Sequence, residues 1–135
     1  MTTDPTRRSS LLQRVREDIS PFTETPCLDA LVLLNQILKV PRSRLLAHPS
    51  PELTDLQAEE LTAAVGRIRA GVPLPYILGR WECYQRTFYV SPDVLIPRPE
   101  TEGLIDRASQ WIREHPQAER ILDLGTGSGC IAVTL

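Results

Sequence analysis

Over the first half of the chain, apolar residues recur at helical intervals. Leu11, Leu12, Val15 and Ile19 share one face of a helix predicted from about Thr6 to Ile19, and Pro21 stops it. Thr25 as cap and Pro26 at the first helical position open a second helix. Its expected inward face is Leu28, Leu31, Leu34, Ile37 and Leu38. Pro41 ends it, and Arg42 to Ala47 suit a short turn of helix. Thr54-Asp-Leu-Gln57 fits a capping box for a helix to about Ala70, with Leu61, Ala64, Val65 and Ile68 inward and Gly71 past its end. Helices this short need a shared core, so a small bundle is expected over about 1–75.

After Gly71 the texture changes. Residues 71–79 read as a tight connector. Trp81 to Tyr84 and Thr87 to Val90 have the aromatic and β-branched content of two strands, with Gln85-Arg86 as the turn between them. A proline-punctuated loop runs from Ser91 to Thr101. A helix is predicted from about Glu102 to Arg113, with Leu104, Ile105, Ala108, Trp111 and Ile112 inward. Arg120 to Leu124 is a short apolar run, a candidate buried parallel strand, and it leads through Gly125-Thr-Gly-Ser-Gly129 into a helix opening at Cys130. A strand of that kind needs neighbours, which the residues after it do not supply, so the chain reads as truncated relative to a full α/β domain. The fold class expected is α plus a truncated α/β arrangement.

Composition narrows the function classes. The 135 residues are 41% hydrophobic and 24% charged, with 12 prolines placed mostly between elements. The net charge of −2 provides no basic field for free nucleic acid. Cys27, Cys83 and Cys130 are odd in number and widely spaced, and His48 and His115 are isolated, which argues against structural zinc or a disulfide framework and for buried or partly buried free thiols. No signal peptide or membrane span is legible, and a soluble, cytoplasmic, monomeric protein is expected.

The strand, glycine loop and helix are the strongest chemical signal. Gly125, Gly127 and Gly129 allow a tight turn and a ligand lying close to the main chain. The G-x-G-x-G spacing departs from the G-x-G-x-x-G of dinucleotide sites, and no G-K-[ST] follows as in a phosphate loop. A nicotinamide dehydrogenase is thereby disfavoured. Asp123 either reaches the ligand or simply caps and braces the loop. Arg98 either pairs with Glu100 or Glu102 or touches a ligand. Glu100 and Glu102 suit a helix start, and Thr101 suits a cap. Trp81 and Trp111 read as packing residues. Arg7, Arg8, Arg14 and Arg16 read as a solvated helix face.

Pro75-Tyr-Ile-Leu-Gly79, Phe88-Tyr-Val90, Val94-Leu-Ile-Pro-Arg-Pro-Glu-Thr-Glu102 and Ile121-Leu-Asp-Leu-Gly-Thr-Gly-Ser-Gly-Cys-Ile-Ala132, in that order, resemble the HemK/PrmC-like protein-(glutamine-N5) methyltransferases. The resemblance is weakest over the N-terminal helices, where the apolar pattern and Leu45-Leu-Ala-His48 carry it. It implies a helical release-factor-binding domain over 1–75, a β-hairpin linker over 76–95 and the start of a Rossmann-like methyltransferase domain over 96–135. It also implies methyl transfer from S-adenosylmethionine to the glutamine amide in the Gly-Gly-Gln loop of peptide-chain release factors. Gly125, Thr126, Gly127, Ser128 and Gly129 would hold the cofactor. Phe88, Pro97, Arg98, Pro99, Glu100, Thr101 and Asp123 would lie at or beside the active site.

The sequence departs from the family at Cys83 and Gln85, where an aromatic and a glycine are usual. The family's Asn-Pro-Pro-Tyr motif does not occur in 1–135, so no catalytic residue is assigned and these residues alone are expected to be inactive. The alternatives are an amino-methyltransferase of the same fold acting on ribosomal protein or a nucleic-acid base, and a non-catalytic release-factor-binding module.

Overall fold

The computed structural model describes residues 10–47, 51–118 and 120–135. The predicted start of the first helix at Thr6, together with Arg7, Arg8 and His48, lies outside them. The chain divides into two compact units, residues 1–77 and 78–135.

In the first unit, α1 (Leu11–Ile19) is capped by Ser10, whose side chain accepts from the Gln13 amide at 3.1 Å. A 3₁₀ turn at Ser20–Phe22, with Pro21 inside it, leads to α2 (Pro26–Leu38). The Thr25 side chain makes no capping bond and donates instead to Asp29 at 3.2 Å. After α2, Lys39 turns into the left-handed region at φ 55°, and α3 (Arg42–Ala47) follows Pro41.

The capping box predicted for α4 (Asp55–Arg69) is present in both directions. The Gln57 amide donates to Thr54 Oγ1 at 3.2 Å, and the Thr54 amide donates to Gln57 Oε1 at 3.0 Å. At its far end Gly71, at φ 82°, closes a Schellman turn: Gly71 N–H donates to Ile68 O and Val72 N–H to Arg67 O.

α2 packs against α1, α3 and α4. The core of this unit includes Leu11, Val15, Ile19, Ala30, Leu33, Leu34, Ile37, Leu45, Leu61, Ala64, Val65 and Ile68. The inward face of α4 is the one the periodicity predicts. That of α2 is rotated: Ala30 and Leu33 are buried, while Leu28 is half exposed. α2 is apolar on most of its circumference, so periodicity could not choose its face, and the three neighbouring helices did. An exposed ion pair, Arg69 to Asp18 at 3.1 Å, joins α4 to α1 and adds little stability.

The connector after Gly71 holds a short helix, α5 (Leu74–Leu78). The second unit then begins with a hairpin, β1 (Arg80–Cys83) and β2 (Arg86–Tyr89), antiparallel with Trp81 opposite Phe88 and Cys83 opposite Arg86. Each strand starts one residue earlier than predicted, and the turn is Tyr84-Gln85 rather than Gln85-Arg86. Both turn residues have positive φ, 51° and 59°, the geometry that matches strand twist in a two-residue hairpin.

α6 (Pro99–Glu114) starts three residues earlier than predicted, with Arg98 at its N-cap and Pro99 at its first position. Thr101 is therefore inside the first turn and is not the cap. Of the five residues expected to face inward only Ile105 is fully buried; Leu104 and Trp111 are exposed, and Trp111 stacks on His115 with ring centroids 4.2 Å apart.

Arg120 to Leu124 does not form a strand: Ile121, Leu122 and Leu124 are exposed, and the only sheet among the described residues is the β1–β2 hairpin. A strand needs a partner for its main-chain groups, and the apolar run has none here. α7 (Cys130–Thr134) follows the glycine loop. Among the described residues, no helix is long and apolar enough to cross a membrane, and no cluster of metal-binding side chains occurs.

Candidate functional site

The second unit is organised around a small core in which the hairpin, α6 and α7 meet. Period-two alternation puts Trp81, Cys83 and Phe88 on one face of the hairpin. Cys83 and Phe88 cluster with Ile105 of α6 and Cys130 of α7, and Ile131 packs against them. Phe88 is thus a core residue, 7% exposed, under the start of α7. Burial pushes the Cys83 thiol up to about 11, with Cys130 and then Glu102 adding to the effect.

Cys130 fixes the end of the glycine loop. Gly125, Gly127 and Gly129 have φ of 75°, 56° and 79°, and the Gly129 amide donates to Thr126 O at 2.9 Å. A Cβ at Gly125 would meet nothing within 4 Å, and at Gly127 and Gly129 only ordinary contacts at 3.9 and 3.7 Å. Crowding by the protein does not select glycine here; backbone conformation does. Thr126 is exposed and Ser128 half-buried.

Asp123 precedes the loop. Its Oδ2 is buried and has no hydrogen-bond partner. A buried carboxylate oxygen left unpaired costs about 1–3 kcal/mol or more, so this position favours a ligand that brings a donor. Asp123 does not brace the loop through that oxygen.

The segment Pro97-Arg-Pro-Glu-Thr101 forms the entrance to α6. Pro97, Arg98 and Pro99 line a small cavity of about 110 Å³ with Trp81, Glu82, Cys83 and Glu102. None of residues 123–129 is in its walls. Arg98 is exposed and, among the described residues, forms no ion pair with Glu100 or Glu102. Glu100 is exposed in the first turn, where the helix dipole favours it. Glu102 has a second role: its Oε1 accepts the Tyr84 main-chain N–H at 2.7 Å. One turn on, Asp106 Oδ1 accepts the Tyr84 hydroxyl at 2.7 Å, which holds that phenol above its usual ionisation range. The clamp from α6 onto the hairpin tip is not legible in the sequence. Its sequence signal is two carboxylates spaced i, i+4 on α6, and that spacing does not name the partner.

A family described as the PrmC N-terminal domain matches residues 10–79. Over 126 residues the chain is 42% identical to the release factor glutamine methyltransferase of Coxiella burnetii, covering 91% of this chain and 44% of that protein. The protein of the same name from Escherichia coli K12 is 42% identical over 123 residues, 90% of this chain and 44% of its own. That of Koribacter versatilis is 45% identical over 113 residues, 84% and 40%. The chain therefore spans less than half the length of these relatives.

Proposed function

We propose that this chain, which belongs to the PrmC N-terminal domain family over residues 10–79, is the front part of an enzyme that methylates release factors. The methyl group would pass from S-adenosylmethionine to the side-chain amide nitrogen of the glutamine in the Gly-Gly-Gln loop. The observation that carries this reading is the identity of 42% to release factor glutamine methyltransferases, which extends over 91% of the chain.

The glycine loop fits that cofactor. Three positive-φ glycines leave open space along the main chain, and the unpaired Oδ2 of Asp123 offers an acceptor for a ligand's N–H or O–H groups. In this reading Gly125, Thr126, Gly127, Ser128 and Gly129 hold the cofactor, which when bound supplies an electrophilic methyl on a sulfonium. Pro97 to Thr101 flank the active site, and Phe88 supports it from the core. Residues 96–135 begin a Rossmann-like domain, and the helical unit contacts the release factor.

An amide nitrogen is a weak nucleophile because its lone pair is delocalised, so transfer depends on orienting that nitrogen rather than on a strong base. No residue of 1–135 is assigned that role, and this chain alone is proposed to be inactive. The setting is cytoplasmic and the protein monomeric in this reading. Incubating release factor with the whole gene product and labelled S-adenosylmethionine tests it; transfer only to ribosomal protein or nucleic acid would reject it. A second reading, a release-factor-binding module without catalysis, draws support from the separate core of residues 1–77. Release-factor binding that needs no cofactor, without methyl transfer by the whole gene product, would favour it.

A further inference from the structure

We propose that Cys83 and Cys130 form a redox site, in which a peroxide joins the two sulfurs in a disulfide that fastens the end of β1 to the residue following the glycine loop. The two cysteines are distant in sequence yet lie in one buried cluster with Phe88 and Ile105, at 2% and 6% exposure. Both are free thiols. Closing the bond needs the sulfurs to approach to about 2.05 Å with a side-chain dihedral near 90°. Two cysteines packed into one small cluster reach this by side-chain rotation. The high proton affinity of Cys83 keeps it mostly neutral at pH 7, which makes this a slow site rather than a fast sensor.

Cys130, the more exposed of the two, meets the peroxide first. Its sulfur takes one oxygen as the O–O bond breaks; the other oxygen leaves as water, and a sulfenic acid remains. The Cys83 sulfur then attacks that sulfur and displaces its oxygen as a second water, forming the S–S bond. Two electrons pass from the thiols to the peroxide, and the two thiol protons end in the waters. The inference does not depend on which ligand the loop holds.

The test uses the 135-residue chain carrying Cys27→Ser, which removes the exposed thiol. After hydrogen peroxide, unfolding, alkylation and digestion, mass spectrometry is expected to show a loss of two hydrogen masses and one cross-linked peptide pair joining positions 83 and 130. A dithiol reductant should reverse it. The additional substitution Cys83→Ala should abolish the cross-link and leave Cys130 carrying oxygen. Amide exchange over residues 125–130 should slow in the oxidised form. Complete alkylation of both cysteines after prolonged exposure, far beyond the time in which free glutathione is fully oxidised, would overturn the proposal. So would separate oxygen adducts on the two residues, or unchanged exchange in the cross-linked chain.

Discussion

The hydroxyl of Tyr84, at the tip of the hairpin, donates to Asp106 on α6 at 2.7 Å, while the main-chain amide of the same residue donates to Glu102 one helical turn earlier. One residue is therefore gripped twice by one helix face. Tyr84 and Gln85 both occupy the left-handed region, which costs a non-glycine residue about 1–2 kcal/mol. The two hydrogen bonds oppose that strain and hold the hairpin on α6.

Replacing Gln85 with Gly should therefore stabilise the second unit by about 1 kcal/mol, because glycine adopts φ 59° without steric cost. Tyr84→Phe, which loses the bond to Asp106, should lower its stability. Urea denaturation followed by Trp81 and Trp111 fluorescence measures both. A destabilised Gln85→Gly chain would show that the turn is not strained as described.

The capping box gives a separate prediction for the helical unit. Thr54→Ala removes the acceptor for the Gln57 amide and should cost about 1 kcal/mol. Leu34→Ala, at a site with no exposed surface, should cost about 2–5 kcal/mol. Loss of helical circular dichroism with urea reads both, and a Leu34→Ala effect below that of Thr54→Ala would contradict the core assignment.

Cys83 links stability to alkaline pH. Its ionisation is raised from 9.0 to about 11 by burial, so the folded state binds the thiol proton more tightly than the unfolded state. The resulting stabilisation is fully present below pH ~9 and is lost as pH rises through about 11. The thermal midpoint of the second unit should fall over that window, and Cys83→Ala should flatten the fall. An identical pH profile in the variant would contradict the assignment.

The helical unit was legible from sequence because its signals are local. The box at Thr54 and Gln57, the Gly71 turn and the stripe on α4 each depend on residues within a few positions of one another. The buried face of α2 was misread because almost every side of that helix is apolar, and only α1, α3 and α4 decide between them. In the hairpin, nothing in Tyr84-Gln85 announces positive φ; the stabilising groups lie on α6, more than a dozen positions away. The glycine loop was legible as a loop, since positive φ at 125, 127 and 129 leaves little choice of residue. The unpaired Oδ2 of Asp123 was not, because burial of a single oxygen is a tertiary property. Residues 120–124 show the converse: an apolar pattern announces a strand, but strand structure requires a neighbour to pair with.

Gly127→Ala should strain the loop at φ 56° without creating a clash. In the whole gene product this should weaken S-adenosylmethionine binding at least tenfold while leaving the melting of the helical unit unchanged. Equal affinity in titration calorimetry would remove the loop from the proposed site.

The most direct measurement is mass spectrometry of release factor after incubation with the whole gene product and S-adenosylmethionine. The predicted result is one added methyl group on the glutamine of the Gly-Gly-Gln loop, absent when the cofactor is omitted. An unmodified glutamine in the presence of folded, cofactor-saturated protein would contradict the account.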